Sequence, residues 1–266
     1  MRKSDYGMIL LLLILAVFIW LRDLAWMTSG DDTLPVLVAL PLFVWLGTPW
    51  KFIPDGRCEF SPFELTLVVA LFVLGIGINS TVLLAIGWTV LLWFWLRKRT
   101  DLGSHDSIKK LLVLPFISFP WITLDADKIG WLFRLTGAYA TTALYHFFGA
   151  EVQQEGTNII INGLPLSVEA ACSGLNTLQS MLIAGTVVNY IILGDTSRYW
   201  WNLGVIITLA WIANTLRIIL LSGVALIFGA EFALGGFHIW GGWAVLILMF
   251  LLCWWITSLQ EAKKVV

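Results

Sequence analysis

The sequence predicts an all-α polytopic integral membrane protein with about eight transmembrane helices. Of its 266 residues, 59% are hydrophobic and only 12% are charged, which leaves too few polar side chains to cover a soluble protein of this size. Apolar runs of about 18 residues recur along the chain, as bilayer crossing requires. The 16 Trp and 16 Phe fit the same class, because aromatic rings favour the membrane interface.

Eight apolar runs are the predicted spans. The second is short and contains Pro35 and Pro41, so we expect a kink there. The first has a basic start but no small-residue cleavage site after it, which predicts a retained helix rather than a signal peptide. The predicted spans are residues 8–26, 34–50, 62–78, 81–96, 111–124, 173–193, 200–221 and 238–259.

The segment before the sixth span has a different character. Residues 129–148 are only moderately apolar and carry Arg134 and His146, which predicts an extracytoplasmic amphipathic helix; a ninth span is the alternative. Residues 158–161 and 164–166 flank Asn162-Gly163, a strong signal for a short β-hairpin. Strand backbone cannot face lipid, so we expect this hairpin outside the bilayer.

The chain is therefore expected to have three parts. Residues 1–124 form an N-terminal five-span membrane bundle, residues 125–171 an extracytoplasmic or interfacial segment with the hairpin, and residues 172–266 a C-terminal three-span core. We expect the three parts to pack as one integrated domain. The C-terminal core carries the unusual polar residues and is the expected catalytic part.

Basic residues orient the eight spans, because they collect on the cytoplasmic side of a membrane. With the N-terminus inside, only four of the 16 basic residues fall outside the cytoplasmic segments, namely Arg22, Lys128, Arg134 and Arg217. Both termini are then cytoplasmic, which predicts a multi-pass protein of the cell (inner) membrane. In this topology Cys172, Arg217 and His238 all fall at the outer face.

Each of these three residues could also have a purely structural role. Cys172 could be a small apolar filler, as we expect for Cys253. Arg217 could snorkel to the nearby interface, and His238 could belong to an aromatic belt with Trp240. Two observations favour a functional role instead. Cys172 lies at a helix start, which favours a thiolate. Asn214 lies on the same helix face as Arg217.

Taken together, the three residues suit acyl transfer. A thiol nucleophile, an imidazole that moves protons and a guanidinium that stabilises an oxyanion are the groups this reaction needs. Ser173 and Asn214 are candidate supporting residues, whereas Glu169 is expected to be an ordinary exposed carboxylate. The His residues are scattered and no metal-binding spacing is present, so we expect neither a metal nor a cofactor.

The motifs EAACSGL, NTLR and GGFHIWGG around these residues resemble the exosortase/archaeosortase family. The resemblance covers about residues 110–259 and implies a membrane cysteine transpeptidase (protease). It implies Cys172 as the nucleophile, His238 as the acid/base and Arg217 as the group that stabilises the transition state. The implied partners are an exported protein, whose C-terminal sorting tail has a short motif such as Pro-Glu-Pro, a transmembrane helix and a basic end, and an envelope lipid or glycan acceptor. No nucleic acid is implied.

Three rival functions stay open on the sequence. A plain cysteine hydrolase would use the same residues with water as the acceptor. A polytopic transporter would use Arg217 to bind an anion, although the paired inverted halves typical of transporters are not evident. A non-catalytic assembly factor would need Cys172 only for packing. The substrate motif, the acceptor and the oligomeric state are not encoded in any motif here.

Overall fold

The computed structural model describes residues 3–27, 33–53, 59–161, 164–167 and 175–262. The chain forms two compact units. One comprises Met1–Asp125 with Gly194–Thr196, and the other comprises Ala126–Leu193 with Ser197–Val266. Both units are built mainly from apolar helices.

The first unit contains seven α-helices in its described part. Its longer helices are closed by local polar contacts; α3, for example, begins at a capping box in which Ser61 and Glu64 exchange side-chain and backbone hydrogen bonds. A turn at Asn79, with φ 55°, joins α3 to α4. The helices are α1 (Lys3–Leu21), α2 (Thr33–Leu46), α3 (Pro62–Gly77), α4 (Thr81–Arg99), α5 (His105–Leu111), α6 (Val113–Ile117) and α7 (Trp121–Asp125).

Charged side chains within these helices are paired. Arg99 Nη2 donates to Asp5 Oδ2 at 2.6 Å, with both side chains buried, and so links α4 to α1. Glu64, also buried, bonds to Arg97 and Lys98. An unpaired charge in an apolar interior is costly, so these pairs let basic residues lie at the end of an apolar helix.

The fifth predicted span, residues 111–124, is not one continuous helix, and its crossing of the membrane stays a prediction. The segment is divided between the end of α5, the five-residue α6 and the five-residue α7. Pro120 lacks the N–H that a continuing helix needs. The Phe116 carbonyl oxygen, four residues earlier, accepts instead from Trp121 Nε1 at 2.9 Å. A five-residue helix is only about 7.5 Å long, so only the whole segment, and neither piece alone, has the length for a crossing.

The second unit contains five helices and three strands in its described part. Four of the helices enclose a core of large apolar side chains that includes Phe133, Met181, Ile206 and Met249. Cys253 lies in this core as a buried, free thiol. The elements are α8 (Asp127–Phe147), β1 (Val152–Glu155), β2 (Asn158–Ile161), β3 (Leu164–Ser167), α9 (Leu175–Leu193), α10 (Arg198–Phe228), α11 (Ala230–Leu234) and α12 (Gly236–Ala262).

The strands form an antiparallel sheet of order β1-β2-β3. Ile161 of β2 pairs with Leu164 of β3, so the strands predicted around Asn162-Gly163 are present; these two residues themselves lie outside the described ranges. The sequence analysis did not identify β1 as a separate strand. Val152 of β1 pairs with Ile161 and Glu155 pairs with Asn158, so β2 is the central strand.

Three described helices, α4, α10 and α12, are long and apolar enough to cross a membrane. Shorter apolar helices lie in α1, α2, α3 and α9. The helical, membrane-spanning fold class is therefore confirmed, whereas the count of eight spans stays a prediction. The segment predicted as an amphipathic helix forms α8, which is not among the described helices apolar enough to cross.

Helix α10 is longer than the sequence indicated. It has 31 residues, about 46 Å at about 1.5 Å per residue, whereas the predicted span ended at Leu221. Arg217 therefore lies well inside a helix that continues to Phe228, not a few residues from its end. The hydrocarbon core is about 30 Å thick, so part of α10 must project beyond it.

Candidate active site

A buried polar network fixes one end of helices α9, α10 and α12. Asn202 Nδ2 donates to Asn189 Oδ1 at 3.2 Å and to Thr257 Oγ1 at 2.9 Å. Its Oδ1 accepts from Gln260 Nε2 at 2.8 Å. Asn189, Asn202 and Thr257 are each at most 1% exposed. Because every one of these bonds joins two different helices, the network sets their register.

Arg217, inside α10, meets His238 of the first turn of α12 away from this network. The guanidinium Nη2 lies 3.0 Å from His238 Nε2 and 3.4 Å from Nδ1. Arg217 is about 22 Å along α10 from Asn202, at about 1.5 Å per residue. A guanidinium only donates hydrogen bonds, so the ring nitrogen that accepts carries no proton.

A glycine on α12 makes room for the Arg217 side chain. A Cβ atom placed on Gly242 would lie 3.3 Å from Arg217 Nε, 3.4 Å from Cζ and 3.5 Å from Nη2. The guanidinium therefore packs directly on the backbone of α12, one turn after His238. The sequence analysis did not assign Gly242 to Arg217, because only the structure places a glycine of α12 against this side chain of α10.

Asn214 lies one turn before Arg217 on α10 and is fully buried, with 0% exposure. Neither its amide nitrogen nor its amide oxygen has a hydrogen-bond partner among the residues that the structure describes. The same holds for Thr215 Oγ1 and Arg217 Nε. Leaving a buried polar atom without a partner costs about 1–3 kcal/mol, so a cluster of such atoms suggests a site built to receive another polar group.

Helix α8 supports α10 at this level of the unit. Trp211 Nε1 donates to Thr136 Oγ1 at 2.8 Å, and Tyr145 Oη donates to the Ile219 carbonyl oxygen at 3.0 Å. Burial raises the pKa of the Tyr145 phenol above its ordinary value, so it stays protonated and able to donate. Two polar contacts between these helices fix α10 on both sides of Arg217.

The sheet packs on the same part of α10. Ile159 and Ile161 of β2 are 0% exposed and contact a cluster that contains Ala138 of α8 and Ile218 of α10. Ile218 directly follows Arg217 in the chain. The burial of β2 against Ile218 therefore places the sheet beside the turn of α10 that carries Arg217.

An open cavity lies next to the first turn of α12. Its volume is about 430 Å³, and it is lined by Phe228, Glu231, Phe232, Gly235 and Gly236. His238 belongs to the same first turn as Gly236. His238 is not among the residues that line the cavity.

The structure brings together two of the predicted catalytic residues, Arg217 and His238, with the predicted supporting residue Asn214 one turn away. Cys172 and Ser173, as well as Glu169, lie outside the described residues, so their roles stay predictions. No group of three or more His, Cys, Asp or Glu in the described ranges could hold a metal ion. The catalytic roles of Arg217 and His238 also stay predictions.

The comparisons with known proteins give one match. A family model described as transmembrane exosortase (Exosortase_EpsH) matches residues 1–255. No curated protein and no solved structure matches the chain significantly. The match covers nearly the whole chain, including the first spans, for which the sequence motifs had indicated no specific relationship.

Proposed function

This chain belongs to the transmembrane exosortase family, and on that premise we propose that it is a membrane-embedded cysteine transpeptidase for C-terminal sorting tails. It cleaves the tail of an exported protein through a thioester on Cys172 and transfers the protein to an envelope lipid or glycan. The contact between Arg217 and His238, 3.0 Å apart, carries the proposal. It joins two residues 21 positions apart in apolar helices and gives them complementary roles.

The first half-reaction forms the thioester. His238 takes the proton of the Cys172 thiol, and the thiolate attacks the carbonyl carbon of the scissile peptide bond. The carbonyl oxygen becomes an oxyanion, which the Arg217 guanidinium stabilises. The carbon–nitrogen bond then breaks, and His238 gives its proton to the leaving amine. The tail helix departs with a free amino terminus.

The second half-reaction reverses these roles with a new nucleophile. His238 takes a proton from an acceptor amine or hydroxyl, which attacks the thioester carbonyl. Arg217 stabilises the second oxyanion, and the Cys172 sulfur leaves as a thiolate that His238 reprotonates.

The proposed setting is the outer side of the cell (inner) membrane, with both termini in the cytoplasm. The length of α10 supports this depth. Arg198 is 19 residues before Arg217, about 28 Å at about 1.5 Å per residue, which is close to the thickness of the hydrocarbon core. With Arg198 at the cytoplasmic surface, Arg217 lies near the outer boundary.

Mass spectrometry of the substrate C-terminus tests this function. Membranes with wild-type enzyme and membranes with the Cys172→Ala variant are supplied with the same tailed protein. The wild type should yield a shortened chain with an added mass that identifies the acceptor, whereas the variant should leave the tail intact. A shortened chain without added mass would indicate hydrolysis. Processing by a well-expressed variant would exclude Cys172 as the nucleophile.

A further inference from the structure

The outer edge of β3 is unpaired within the part of the chain that the structure describes. The sheet order is β1-β2-β3, so β3 pairs with β2 on one side only. An edge strand presents main-chain N–H and C=O groups that can bind another extended chain.

The strand register shows which groups point outward. Residues that face each other in an antiparallel pair alternate between exchanging two hydrogen bonds and exchanging none. Pro165, which faces Ile160, has no N–H and therefore belongs to a pair that exchanges none. Alternation then assigns Ser167, which faces Asn158, to the same outward-facing class. The free edge thus offers the Pro165 and Ser167 carbonyl oxygens and the Ser167 N–H.

The sheet that carries this edge packs on the part of α10 that contains Arg217. β2 packs against Ile218, the neighbour of Arg217 in the chain. Only five positions separate Ser167 from Cys172 in the sequence. Five residues extend over at most about 17 Å, so the chain length limits the distance between the end of this strand and the proposed nucleophile to about 17 Å.

We propose that the outer edge of β3 binds the substrate peptide as an additional strand through main-chain hydrogen bonds. The proposal rests on the proposed function and concerns how that site holds its substrate. The occupant is the segment before the transmembrane helix of the sorting tail. The helix itself already satisfies its backbone groups internally, so only the segment before it can take up a strand conformation.

Pro165 gives this edge a restricted pattern. A complete edge would bind any extended chain and would favour aggregation, and proline is one residue that limits such pairing. Here one donor is missing, so a partner gains only three main-chain hydrogen bonds. Such an edge binds a free peptide weakly. A peptide that its own transmembrane helix already holds in the membrane binds the edge more tightly, because its effective concentration there is higher.

A proline substitution at the outward-facing donor tests the proposal. Ser167→Pro removes the edge N–H but leaves the bonds between β3 and β2. It should raise the KM for a tailed substrate about two- to tenfold, which corresponds to the net free energy of one hydrogen bond. The kcat should not change. Ser167→Ala keeps the N–H and should behave as wild type. Gln154→Pro, on the outer edge of β1, is the matched control and should also leave KM unchanged.

Substrate analogues give a second test with the enzyme unaltered. Single amides of a synthetic peptide preceding the mapped cleavage site are replaced by esters, which removes one N–H at a time. Binding should weaken at two positions spaced two residues apart, those that donate to Pro165 and Ser167. Equal effects at every position, or a normal KM in a folded Ser167→Pro variant, would overturn the edge-strand proposal. Loss of processing in Cys172→Ala alongside such a result would leave the transpeptidase function standing.

Discussion

Gly242 lies so close to Arg217 that an added Cβ atom would be 3.3 Å from Nε of the guanidinium. This spacing is tighter than ordinary van der Waals contact, so any side chain at position 242 must displace Arg217. The displacement would change the distance between the guanidinium and His238. Gly242 thus acts through Arg217 and is a positioning residue.

Gly242→Ala should lower kcat about fivefold, because a shift of a few tenths of an ångström is enough to misplace a group whose 1 Å misplacement costs about a hundredfold. Processing rates in membranes, normalised to enzyme level, measure the effect. Gly241→Ala is the control, since the three atoms nearest to a Cβ there all belong to the Phe237 ring, the nearest at 3.2 Å. Equal losses in the two variants would show that helix packing alone is responsible.

Arg217→Lys keeps the positive charge and should nevertheless reduce turnover about 10²–10³-fold, the usual effect of losing an oxyanion donor. The lysine ammonium is not planar, so it cannot pack on Gly242 and contact His238 at the same time, as the guanidinium does. Single-turnover cleavage at saturating substrate measures the chemical step. Near-normal turnover in the lysine variant would mean that a positive charge is sufficient and that the fork geometry is not used.

Asn214 and Asn202 lie on the same helix and are both buried, which makes them a matched pair. Asn214 has no partner for either amide atom in the described structure, whereas Asn202 bonds to three side chains. Asn214→Leu should therefore leave thermal stability in detergent unchanged or higher while activity falls. Asn202→Leu should lower stability by about 1–3 kcal/mol, since it leaves its former partners unsatisfied.

The reverse result would contradict this assignment. If Asn214→Leu unfolds the protein and retains full activity per folded molecule, Asn214 is a structural residue. Thermal unfolding in detergent and processing of a tailed substrate by the same preparation separate the two outcomes.

Much of the fold follows from local patterns. Helices such as α3 and α4 are long apolar runs closed by recognisable caps, and the β2–β3 pair follows from Asn-Gly between apolar residues. The break at Pro120 and the extension of α10 to Phe228 were not predicted. Hydropathy measures apolar content, but it reports neither a missing backbone donor nor a helix that continues beyond the bilayer.

The candidate site was also predictable only in part, because sequence patterns report single residues and not contacts between helices. Arginine and histidine in apolar runs are conspicuous, and a topology from basic residues placed Arg217 and His238 at one depth. The closeness of Gly242 to Arg217 and the contrast between Asn214 and Asn202 depend on contacts between helices. No local pattern in the sequence encodes those contacts.

The orientation of the rear half can be measured with single cysteines in a background that lacks the native ones. A cysteine at Gln154, in β1, should react with a membrane-impermeant maleimide in intact cells. A cysteine at Thr196, before α10, should react only after permeabilisation. Labelling in the opposite sense would place the proposed site on the cytoplasmic side and would exclude action on exported tails.

The most direct test of the catalytic account is to locate the acyl group during turnover. Enzyme mixed with a tailed substrate is quenched in acid, digested and analysed by mass spectrometry. The account predicts that the peptide containing Cys172 carries the mass of the substrate fragment, and that neutral hydroxylamine removes it, as expected for a thioester. An acyl group on another residue, or continued cleavage by Cys172→Ala with no adduct on the enzyme, would contradict it.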